Sequence, residues 1–559
     1  MISRERAIEG LQAHDFDVVV IGGGITGAGV ALDAASRGYS VALLERSDFA
    51  IGTSSRSSKM IHGGLRYLRN FDLGLVREAL LERSLMVRLA PHLVYPTPYL
   101  VPALGDARRD RRIGIGLNMY DVMATSRVGR GRSQRSEHGG EEEYWSPARH
   151  HTISGEESAE LIPALGSVEP NSAYLFYDCQ TDDARLVLTV LGEAERFGAV
   201  LLNGAEVVEV LDDEGRASGV VFREAESGER IEVGAANVVN ATGVWADRIK
   251  TEEILTEEEI PRIAPSRGTH ITLSTEDVDI GTAACVIPAG DRTVMVLPWY
   301  GRAMVGPTDN DYEGDIDHVP PSPDDVTYLL DAVNDFFALE LTPEDITGAF
   351  AGVRPLISTG DPKKSVDISR KSELYETSSG MLTITGGKLT TWRRMAEEVV
   401  DRIVERDGRD AESRTDDIPL GMSARPEDLE TDLELPDGSL DLLAFRYGHA
   451  ARHVLDVAEE RPELAEPILP GHLDLLAEVV VAARDEQART VADVLLRRTR
   501  LGLIAARDLR TAESVSRVAE ILGGELGWSK KRVKEEAEAW VRTAAEEGID
   551  PAAAPTRAA

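Results

Sequence analysis

A short glycine-rich segment followed by an acidic residue has the residue types and spacing to carry chemistry. The segment 22–27, GGGITG, lies between an apolar run and a stretch with apolar residues at helical spacing. Gly22 allows a tight turn, Gly24 lets backbone approach a pyrophosphate, and Gly27 lets a helix lie close to a sheet. Glu45 follows where its carboxylate can accept hydrogen bonds from ribose hydroxyl groups. Together these residues predict a dinucleotide-binding turn.

A strand, a helix and a second strand must position these residues. The segment 15–46 contains β-branched apolar residues, the glycine turn, residues at helical spacing, a break at Gly38 and a second apolar run. The predicted helix N terminus would present amide groups and a positive dipole end to phosphates. An ordinary tight turn between strand and helix is the alternative, but it needs no acidic residue after the second strand. The motif by itself does not distinguish NAD from FAD.

Three later segments combine turns with polar or small residues. Segment 52–68, GTSSRSSKMIHGGLRYL, has the hydroxyl groups and cations of a wall that binds a long polar ligand, and an amphipathic helix is predicted at about 73–89. Segment 238–245, VVNATGVW, predicts a strand ending in small residues, as backbone close to a cofactor requires. Segment 382–391, LTITGGKLTT, predicts a strand and a turn before an amphipathic helix.

These segments resemble the FAD-dependent glycerol-3-phosphate dehydrogenase family, within the D-amino-acid-oxidase-like flavoproteins. Segment 52–68 is similar to that family's signature, and segments 177–186, 238–245 and 382–391 follow in the family's order. The resemblance implies that the cofactor is FAD. It also implies oxidation of sn-glycerol 3-phosphate to dihydroxyacetone phosphate, with the electrons passed to a respiratory quinone. In segment 177–186, Thr181 and two carboxylates are expected to cap a helix, without a catalytic role.

The resemblance also implies which residues bind the cofactor. In the family, the segment that corresponds to 52–68 contacts the pyrophosphate and the flavin. The helix that starts after segment 382–391 would stabilise the negative charge that develops when the flavin accepts a hydride. The implied cofactor-binding residues are Gly22, Gly24, Gly27, Glu45, Thr53, Ser54, His62, Gly243, Gly387, Lys388, Leu389 and Thr390.

The substrate pocket is expected to combine cations with a base. The resemblance implies that Arg66, Tyr67 and Arg354 bind the substrate phosphate, for which a planar guanidinium is well suited. His270 is the expected base for the hydroxyl proton, and Lys388 is expected to bond both the flavin edge and the substrate oxygen. His270, Arg354 and Lys388 are thus the predicted catalytic residues. From spacing alone, a packing role for His270 and a carboxylate-bridging role for Arg354 are the alternatives.

The predicted fold is α/β, with an FAD-binding Rossmann-like domain, an interleaved antiparallel substrate-binding sheet and a C-terminal α-helical domain. Helical spacing in the C-terminal domain predicts helices at 473–484, 490–503 and 514–522. The predicted boundaries are 1–406 for the oxidoreductase domain (FAD-binding parts at about 15–90, 170–250 and 355–406, substrate-binding parts at about 91–169 and 251–354), 407–439 for a linker, 440–547 for the helical domain and 548–559 for a tail.

Composition excludes several classes of protein. The net charge of −36 over 559 residues argues against a general nucleic-acid-binding protein, because a phosphate backbone would repel such a surface. Two cysteines, Cys179 and Cys285, are too few for a disulfide framework or an iron-sulfur cluster, and no metal site is predicted. The uncharged runs are shorter than the ~20 residues that a membrane-spanning helix needs. We therefore expect a cytoplasmic protein.

One basic segment indicates contact with a membrane surface. In segment 108–120, RRDRRIGIGLNMY, four arginines precede an apolar run. Cations beside apolar side chains suit anionic lipid headgroups, and a quinone acceptor dissolves in that lipid. The prediction is peripheral contact with the inner face of the cell membrane. A surface turn whose arginines pair with nearby carboxylates is the alternative.

Other functions also fit these residues. A glycerol-3-phosphate oxidase would reoxidise the same flavin with oxygen, and another oxidase of the superfamily would act on an amine or a hydroxy acid. A non-catalytic flavin-binding sensor or scaffold is the alternative from a different class. A homodimer and an assembly with partner subunits are both compatible with the sequence.

Overall fold

The structure is a computed structural model that contains two β-sheets and a group of C-terminal helices. It describes residues 4–65, 72–104, 111–124, 148–249, 262–290, 292–358 and 372–553. Among these residues, no helix combines the length and the apolar composition needed to span a bilayer.

The strands and helices alternate along the first half of the chain, and helices dominate its end. The strands are β1 (Phe16–Ile21), β2 (Val41–Leu44), β3 (Met60–Ile61), β4 (Tyr95–Ala103), β5 (His151–Ser154), β6 (Ser172–Gln180), β7 (Val200–Leu202), β8 (Ala205–Asp213), β9 (Arg216–Glu224), β10 (Arg230–Asn240), β11 (Arg262–Ser274), β12 (Ala284–Ala289), β13 (Arg292–Trp299), β14 (Arg302–Gly306), β15 (Asn310–Asp311), β16 (Ile346–Ser358), β17 (Ser372–Glu376) and β18 (Leu382–Gly386). The helices are α1 (Arg4–Ala13), α2 (Ile25–Ser36), α3 (Leu73–Leu89), α4 (Arg111–Ala124), α5 (Gly155–Leu161), α6 (Asp183–Arg196), α7 (Pro323–Phe337), α8 (Trp392–Asp407), α9 (Ser439–Tyr447), α10 (Ala451–Glu460), α11 (Leu476–Asp485), α12 (Val491–Asp493), α13 (Leu501–Ile504), α14 (Ser516–Glu525) and α15 (Lys530–Glu547).

The first sheet has the order β17-β18-β10-β1-β2-β7, and β8 and β9 extend from β10. The strands from β18 to β7 are parallel, and their valine-rich and leucine-rich sequences are buried on both faces. Helix α2 packs against α6 and α8 on one face. A Cβ atom on Gly29 of α2 would lie 2.7 Å from the Trp392 ring, so glycine is needed for this close packing of α2 on α8. The sheet therefore presents the carboxyl ends of three neighbouring strands, β18, β10 and β1, at one edge.

The second sheet has the order β15-β11-β14-β13-β12-β4-β6-β3, with β16 paired to β11 and β5 paired to β6. Most of its pairs are antiparallel, although β12 and β4 are parallel. Helix α7 covers one face of this sheet. Side chains of its other face, such as Trp299 and Phe350, belong to the same apolar core as the C-terminal helices. The C-terminal helices thus pack on the face of the second sheet opposite α7, and the predicted fold class is confirmed.

The predicted helix at 490–503 is wrong as a continuous element. The chain forms α12, then a π-helical turn at Val494–Arg498, and then α13. Arg500 breaks the helix because it adopts a left-handed conformation with a φ of 70°. The consequence is that Arg497, Arg498 and Arg500 all point into the protein, where their side chains are buried.

Arg498 makes the more regular of two buried ion pairs with Asp48. Its Nη1 and Nη2 atoms each donate a hydrogen bond of 2.8 Å to the carboxylate, which also accepts from Arg497. Burial raises the pKa of Asp48, but the charges of Arg498 and Arg497 outweigh this effect and lower it to about 2. The pair thus stabilises the fold above the unfolded pKa of about 3.9, and this stabilisation is lost as the pH falls toward 2.

Replacement of Arg498 by methionine should lower the free energy of unfolding by about 3 kcal/mol at pH 7, because a buried carboxylate loses part of its compensation. Urea denaturation followed by circular dichroism measures this change. Arg402→Met is the matched control, since Arg402 pairs with Glu376 and Glu405 at the surface and exposed pairs contribute little. Equal effects of the two substitutions would contradict the importance of the buried pair.

Candidate active site

A cavity of about 480 Å³ opens at the edge of the first sheet, where the turns after β1, β10 and β18 meet. Ligands of open parallel sheets bind at such an edge, outside the carboxyl ends of the strands. The second sheet contributes His270 and Arg354 to the opposite wall. The predicted cofactor-binding residues that line the cavity are Gly22, Gly24, Glu45, Thr53, Ser54, His62, Gly243, Gly387, Lys388, Leu389 and Thr390.

The first glycine turn brings three backbone segments into contact. Gly22 has a φ of 108°, and a Cβ atom there would lie 2.7 Å from the Ala241 carbonyl oxygen. Gly27 does not line the cavity, but a Cβ atom at this position would lie 2.0 Å from the Gly22 carbonyl oxygen. The two glycines therefore allow α2 to start directly against the turn and beside the end of β10.

The carboxylate of Glu45 supports the same turn. Its two oxygens accept hydrogen bonds from the backbone amides of Gly23, at 2.8 Å, and Ser47, at 2.9 Å. Burial raises the pKa of Glu45, and these two amide hydrogen bonds act in the opposite direction. Glu45 lines the cavity, and its predicted contact with a ribose stays a prediction.

The hydroxyl groups of Thr53 and Ser54 join the walls of the cavity. Ser54 Oγ accepts a hydrogen bond of 2.9 Å from the backbone amide of Ile25, in the first turn of α2. Thr53 Oγ1 donates a hydrogen bond of 2.6 Å to the carbonyl of Val353 on β16. These two side chains hold segment 52–58 between the dinucleotide turn and the second sheet.

The second glycine turn, after β18, approaches the cavity from the other side. Gly387 has a φ of 72°, and a Cβ atom there would lie 2.3 Å from Met395 Sδ on α8. Thr390 Oγ1 bonds the backbone of His62 twice, accepting from its amide at 3.1 Å and donating to its carbonyl at 3.2 Å. Lys388 lies at the tip of the turn and lines the cavity. The turn and the segment after β3 are thus fixed to each other.

His270 is buried in the wall opposite the glycine turns. Its side chain stacks on the Phe350 ring, with 4.8 Å between the ring centroids and 12° between the planes. Its Nε2 lies 3.0 Å from Ser58 Oγ, and its Nδ1 has no hydrogen-bond partner in the part of the chain that the structure describes. Burial, together with the charges of Lys59 and Arg354, holds the pKa of His270 well below its usual value. Both effects favour the neutral ring, which is the form that has a nitrogen lone pair available for a proton.

Arg354 lines the cavity, and three hydrogen bonds to residues of β11 and the loop after β14 hold its guanidinium group. Its Nη1 donates to Asp309 at 3.2 Å and to Ser266 at 3.3 Å, and its Nη2 donates to the Thr308 carbonyl at 3.1 Å. About a fifth of the side chain, 21%, is exposed. The carboxylate of Asp309 balances part of its charge, so binding of a dianion would need a further cation beside Arg354.

The structure brings together the predicted site residues that it describes, and it adds residues that sequence reasoning missed. Arg66 and Tyr67 lie outside the described residues. The missed cavity residues include Arg56, Ser58 and Trp245. Arg56 and Ser58 lie within segment 52–68, but its uniform density of polar residues does not distinguish those that face the cavity.

Two family models match the chain. Residues 17–393 match the model described as FAD dependent oxidoreductase, and residues 413–533 match the C-terminal domain of alpha-glycerophosphate oxidase. The glycerol-3-phosphate dehydrogenase 2 of Mycobacterium tuberculosis is 36% identical over 537 residues, which cover 94% of this chain and 87% of that protein. The chain belongs to the FAD-dependent glycerol-3-phosphate dehydrogenase family.

The similarity to this family extends over nearly the whole chain. The mitochondrial glycerol-3-phosphate dehydrogenase SDP6 of Arabidopsis thaliana is 34% identical over 571 residues, covering 96% of this chain and 87% of that protein. The solved structure of the glycerol-3-phosphate dehydrogenase from Bacillus halodurans, complexed with FAD, has a TM-score of 0.76 at 27% identity and covers 98% of this chain and 99% of that one. The predicted family and its cofactor FAD are confirmed.

The residues of this chain fit the cofactor of the glycerol-3-phosphate dehydrogenase family. At Gly22 and Gly387 a side chain would collide with backbone or with Met395, so both turns leave bare backbone beside the cavity. Bare backbone is what close approach to a pyrophosphate requires. Segment 52–58 and the turn at 386–390 then form the walls between which the flavin would lie.

Gly27→Ala should weaken FAD binding, because the added Cβ atom would collide with the Gly22 carbonyl and displace α2 from the turn. A cost of about 1–3 kcal/mol for overpacking corresponds to roughly 5- to 150-fold weaker binding. The ratio of flavin absorbance to protein after dialysis measures the loss. Gly192→Ala on α6 is the control, since its Cβ atom would meet nothing within 4 Å. Full flavin content in the Gly27 variant would contradict this explanation.

Proposed function

We propose that this protein oxidises sn-glycerol 3-phosphate to dihydroxyacetone phosphate and passes the electrons to a respiratory quinone. The observation that carries the proposal is a buried His270 and an anchored Arg354 on the cavity wall opposite the turns after β1 and β18. The names of the relatives in Mycobacterium tuberculosis and Arabidopsis thaliana support this substrate.

His270 is the proposed base. Oxidation of a secondary alcohol requires loss of a hydride from carbon and of a proton from the hydroxyl group. The bound flavin supplies the hydride acceptor. A neutral imidazole in the cavity wall can take the hydroxyl proton, and burial of His270 beside two cations favours this neutral form by lowering its pKa.

Arg354 and Lys388 are the proposed anchors of the substrate. Both line the cavity, and they approach it from the second sheet and from the turn after β18. Because Asp309 balances part of the charge of Arg354, the substrate needs a second cation, and Lys388 is the proposed one. Lys388 is also proposed to contact the flavin edge. Arg66 and Tyr67 remain proposed phosphate ligands.

The proposed route to quinone starts at helix α4. Ile115 and Val122 are 62% and 63% exposed, and Met119 lies between them at helical spacing, with exposed Arg112 one turn before. The opposite side of the helix is buried through Leu117 and Tyr120. An exposed apolar stripe next to arginine suits the headgroup region of an anionic membrane. We propose that α4 contacts the inner face of the cell membrane.

Oxygen is the alternative acceptor, and a specific observation favours keeping it. Residues 413–533 match a model named for alpha-glycerophosphate oxidase.

Anaerobic addition of glycerol 3-phosphate should bleach the flavin absorbance, and glycerol at the same concentration should not. Readmission of air then distinguishes the two acceptors, because an oxidase releases stoichiometric peroxide and a dehydrogenase reduces a quinone analogue much faster than oxygen. A flavin that stays oxidised with glycerol 3-phosphate would contradict the proposal and favour a non-catalytic sensor or scaffold.

Arg354→Ala should raise the KM for glycerol 3-phosphate by roughly 10- to 150-fold, because a charge-assisted hydrogen bond contributes about 1.5–3 kcal/mol. Steady-state kinetics with a quinone analogue measure this change, and flavin content should stay as in the wild type. Arg230→Ala is the control, since this arginine pairs with Glu209 at the surface. An unchanged KM in the Arg354 variant would remove this residue from the substrate site.

Replacement of both Ile115 and Val122 by glutamate should reduce sedimentation with vesicles of anionic phospholipid, since charges would replace the exposed apolar stripe of α4. Val208→Glu together with Met422→Glu is the control, because these exposed apolar side chains lie away from α4, on β8 and in the loop after α8. Binding equal to that of the wild type would contradict the membrane contact through α4.

A further inference from the structure

Segment 57–59, at the cavity wall, is tied to a buried carboxylate. Lys59 Nζ donates hydrogen bonds to the two carboxylate oxygens of Asp183, at 2.9 and 2.7 Å, and to the Ser55 carbonyl, at 2.6 Å. Ser57 Oγ donates to the same carboxylate at 2.7 Å. Lys59 is completely buried and has a φ of 58°, a conformation that is uncommon for residues other than glycine. The ion pair with Asp183 holds the segment in this conformation.

The C-terminal domain supplies the second cation of this cluster. Arg500 Nη2 donates to Asp182 at 2.7 Å and also to Asp183. Asp182 caps α6 through the amide of Arg185 and accepts a hydrogen bond of 2.8 Å from Tyr300. Two cations and two carboxylates therefore balance one another in a buried position. Because each is buried, none of the four can be removed without leaving a charge less well compensated.

The ammonium group of Lys59 lies against the aromatic ring on which the proposed base stacks. It is 4.6 Å from the centroid of the Phe350 ring, and the same ring stacks on His270 at 4.8 Å. Ser58, the residue before Lys59, places its Oγ 3.0 Å from His270 Nε2. Lys59 itself is not among the residues that line the cavity. It can therefore act on the substrate only through its neighbours.

Two charged groups lower the pKa of His270, and both are cations. Lys59 precedes β3, and Arg354 lies on β16. Burial is the main cause of the low pKa of His270, followed by the charge of Lys59 and then by that of Arg354. Arg354 has a carboxylate partner in Asp309, as Lys59 has in Asp183. The field of these cations opposes protonation of the imidazole.

We propose that Lys59 is a positioning residue for the oxidation: its ammonium group, held by Asp183, to which Arg500 is also bonded, orients His270 through Ser58 and Phe350 and keeps the ring in its proton-accepting form. This inference rests on the proposed role of His270 as the base. Because Arg500 belongs to the C-terminal domain, the inference also gives a function to the contact of that domain with Asp183.

The test is the pH dependence of anaerobic flavin reduction by glycerol 3-phosphate in the holoenzyme with Lys59→Gln. Glutamine keeps a donor toward Asp183 and the Ser55 carbonyl but removes the positive charge. The pH below which reduction slows should rise by about one unit, a tenfold change in proton concentration, because His270 loses a cation that opposes its protonation. Lys534→Gln is the control, since this lysine is 81% exposed on α15. An acid limb equal to that of the wild type, even with a lower unfolding temperature, would overturn the inference.

Two further variants keep the result decisive. Lys59→Arg retains the charge and should retain the wild-type acid limb, and it also reports on the charge if the glutamine variant does not fold. A shift in the arginine variant equal to that expected for glutamine would overturn the inference.

His270→Asn separates this inference from the proposed function. If the asparagine variant reduces flavin with the wild-type rate and pH profile, the proposed base is wrong. If it reduces flavin slowly while the Lys59→Gln acid limb matches the wild type, only the role of Lys59 fails.

Discussion

The structure depends on how closely bare backbone packs at the edge of three parallel strands. The turn after β1 touches the end of β10 at Gly22 and the start of α2 at Gly27, and the turn after β18 rests on α8 at Gly387. A side chain at any of these positions would collide with its neighbours. The close packing leaves bare backbone at Gly22 and Gly387 beside the cavity, as close approach of the FAD pyrophosphate requires. The second sheet contributes the side chains of His270 and Arg354 to the opposite wall of the cavity.

Buried charge joins the helical C-terminal domain to this cavity. Arg498 binds Asp48 behind the dinucleotide turn, and Arg500 binds Asp182 at the start of α6. Both arginines come from a short irregular region rather than from the exposed face of a helix, so their positions are fixed by the backbone as well as by their partners. Arg500 also binds Asp183, so the C-terminal domain shares a buried carboxylate with Lys59, the residue after Ser58. Arg498 and Arg500 both lie within residues 413–533, which match the C-terminal domain of alpha-glycerophosphate oxidase.

Sequence patterns predicted the local elements well and the long-range contacts poorly. The strand, turn and helix around Gly22 follow from glycine spacing and β-branched residues, and α3 has the predicted bounds of 73–89. The buried partners of Asp182 could not be predicted, because it was expected only to cap a helix, and its cationic partner Arg500 lies 318 residues away. The break at Arg500 was missed because its apolar neighbours keep helical spacing. The geometry around His270 likewise required the structure, since Ser58 and Phe350 come from separate segments of the chain.

The most direct test of this account is a crystal structure of the protein with FAD and dihydroxyacetone phosphate bound. The account predicts that the flavin ring lies between segment 52–58 and the turn at 386–390. It also predicts that the phosphate lies within hydrogen-bond distance of Arg354 and that the carbonyl oxygen faces His270. A flavin bound elsewhere, or a phosphate bound away from Arg354, would contradict it.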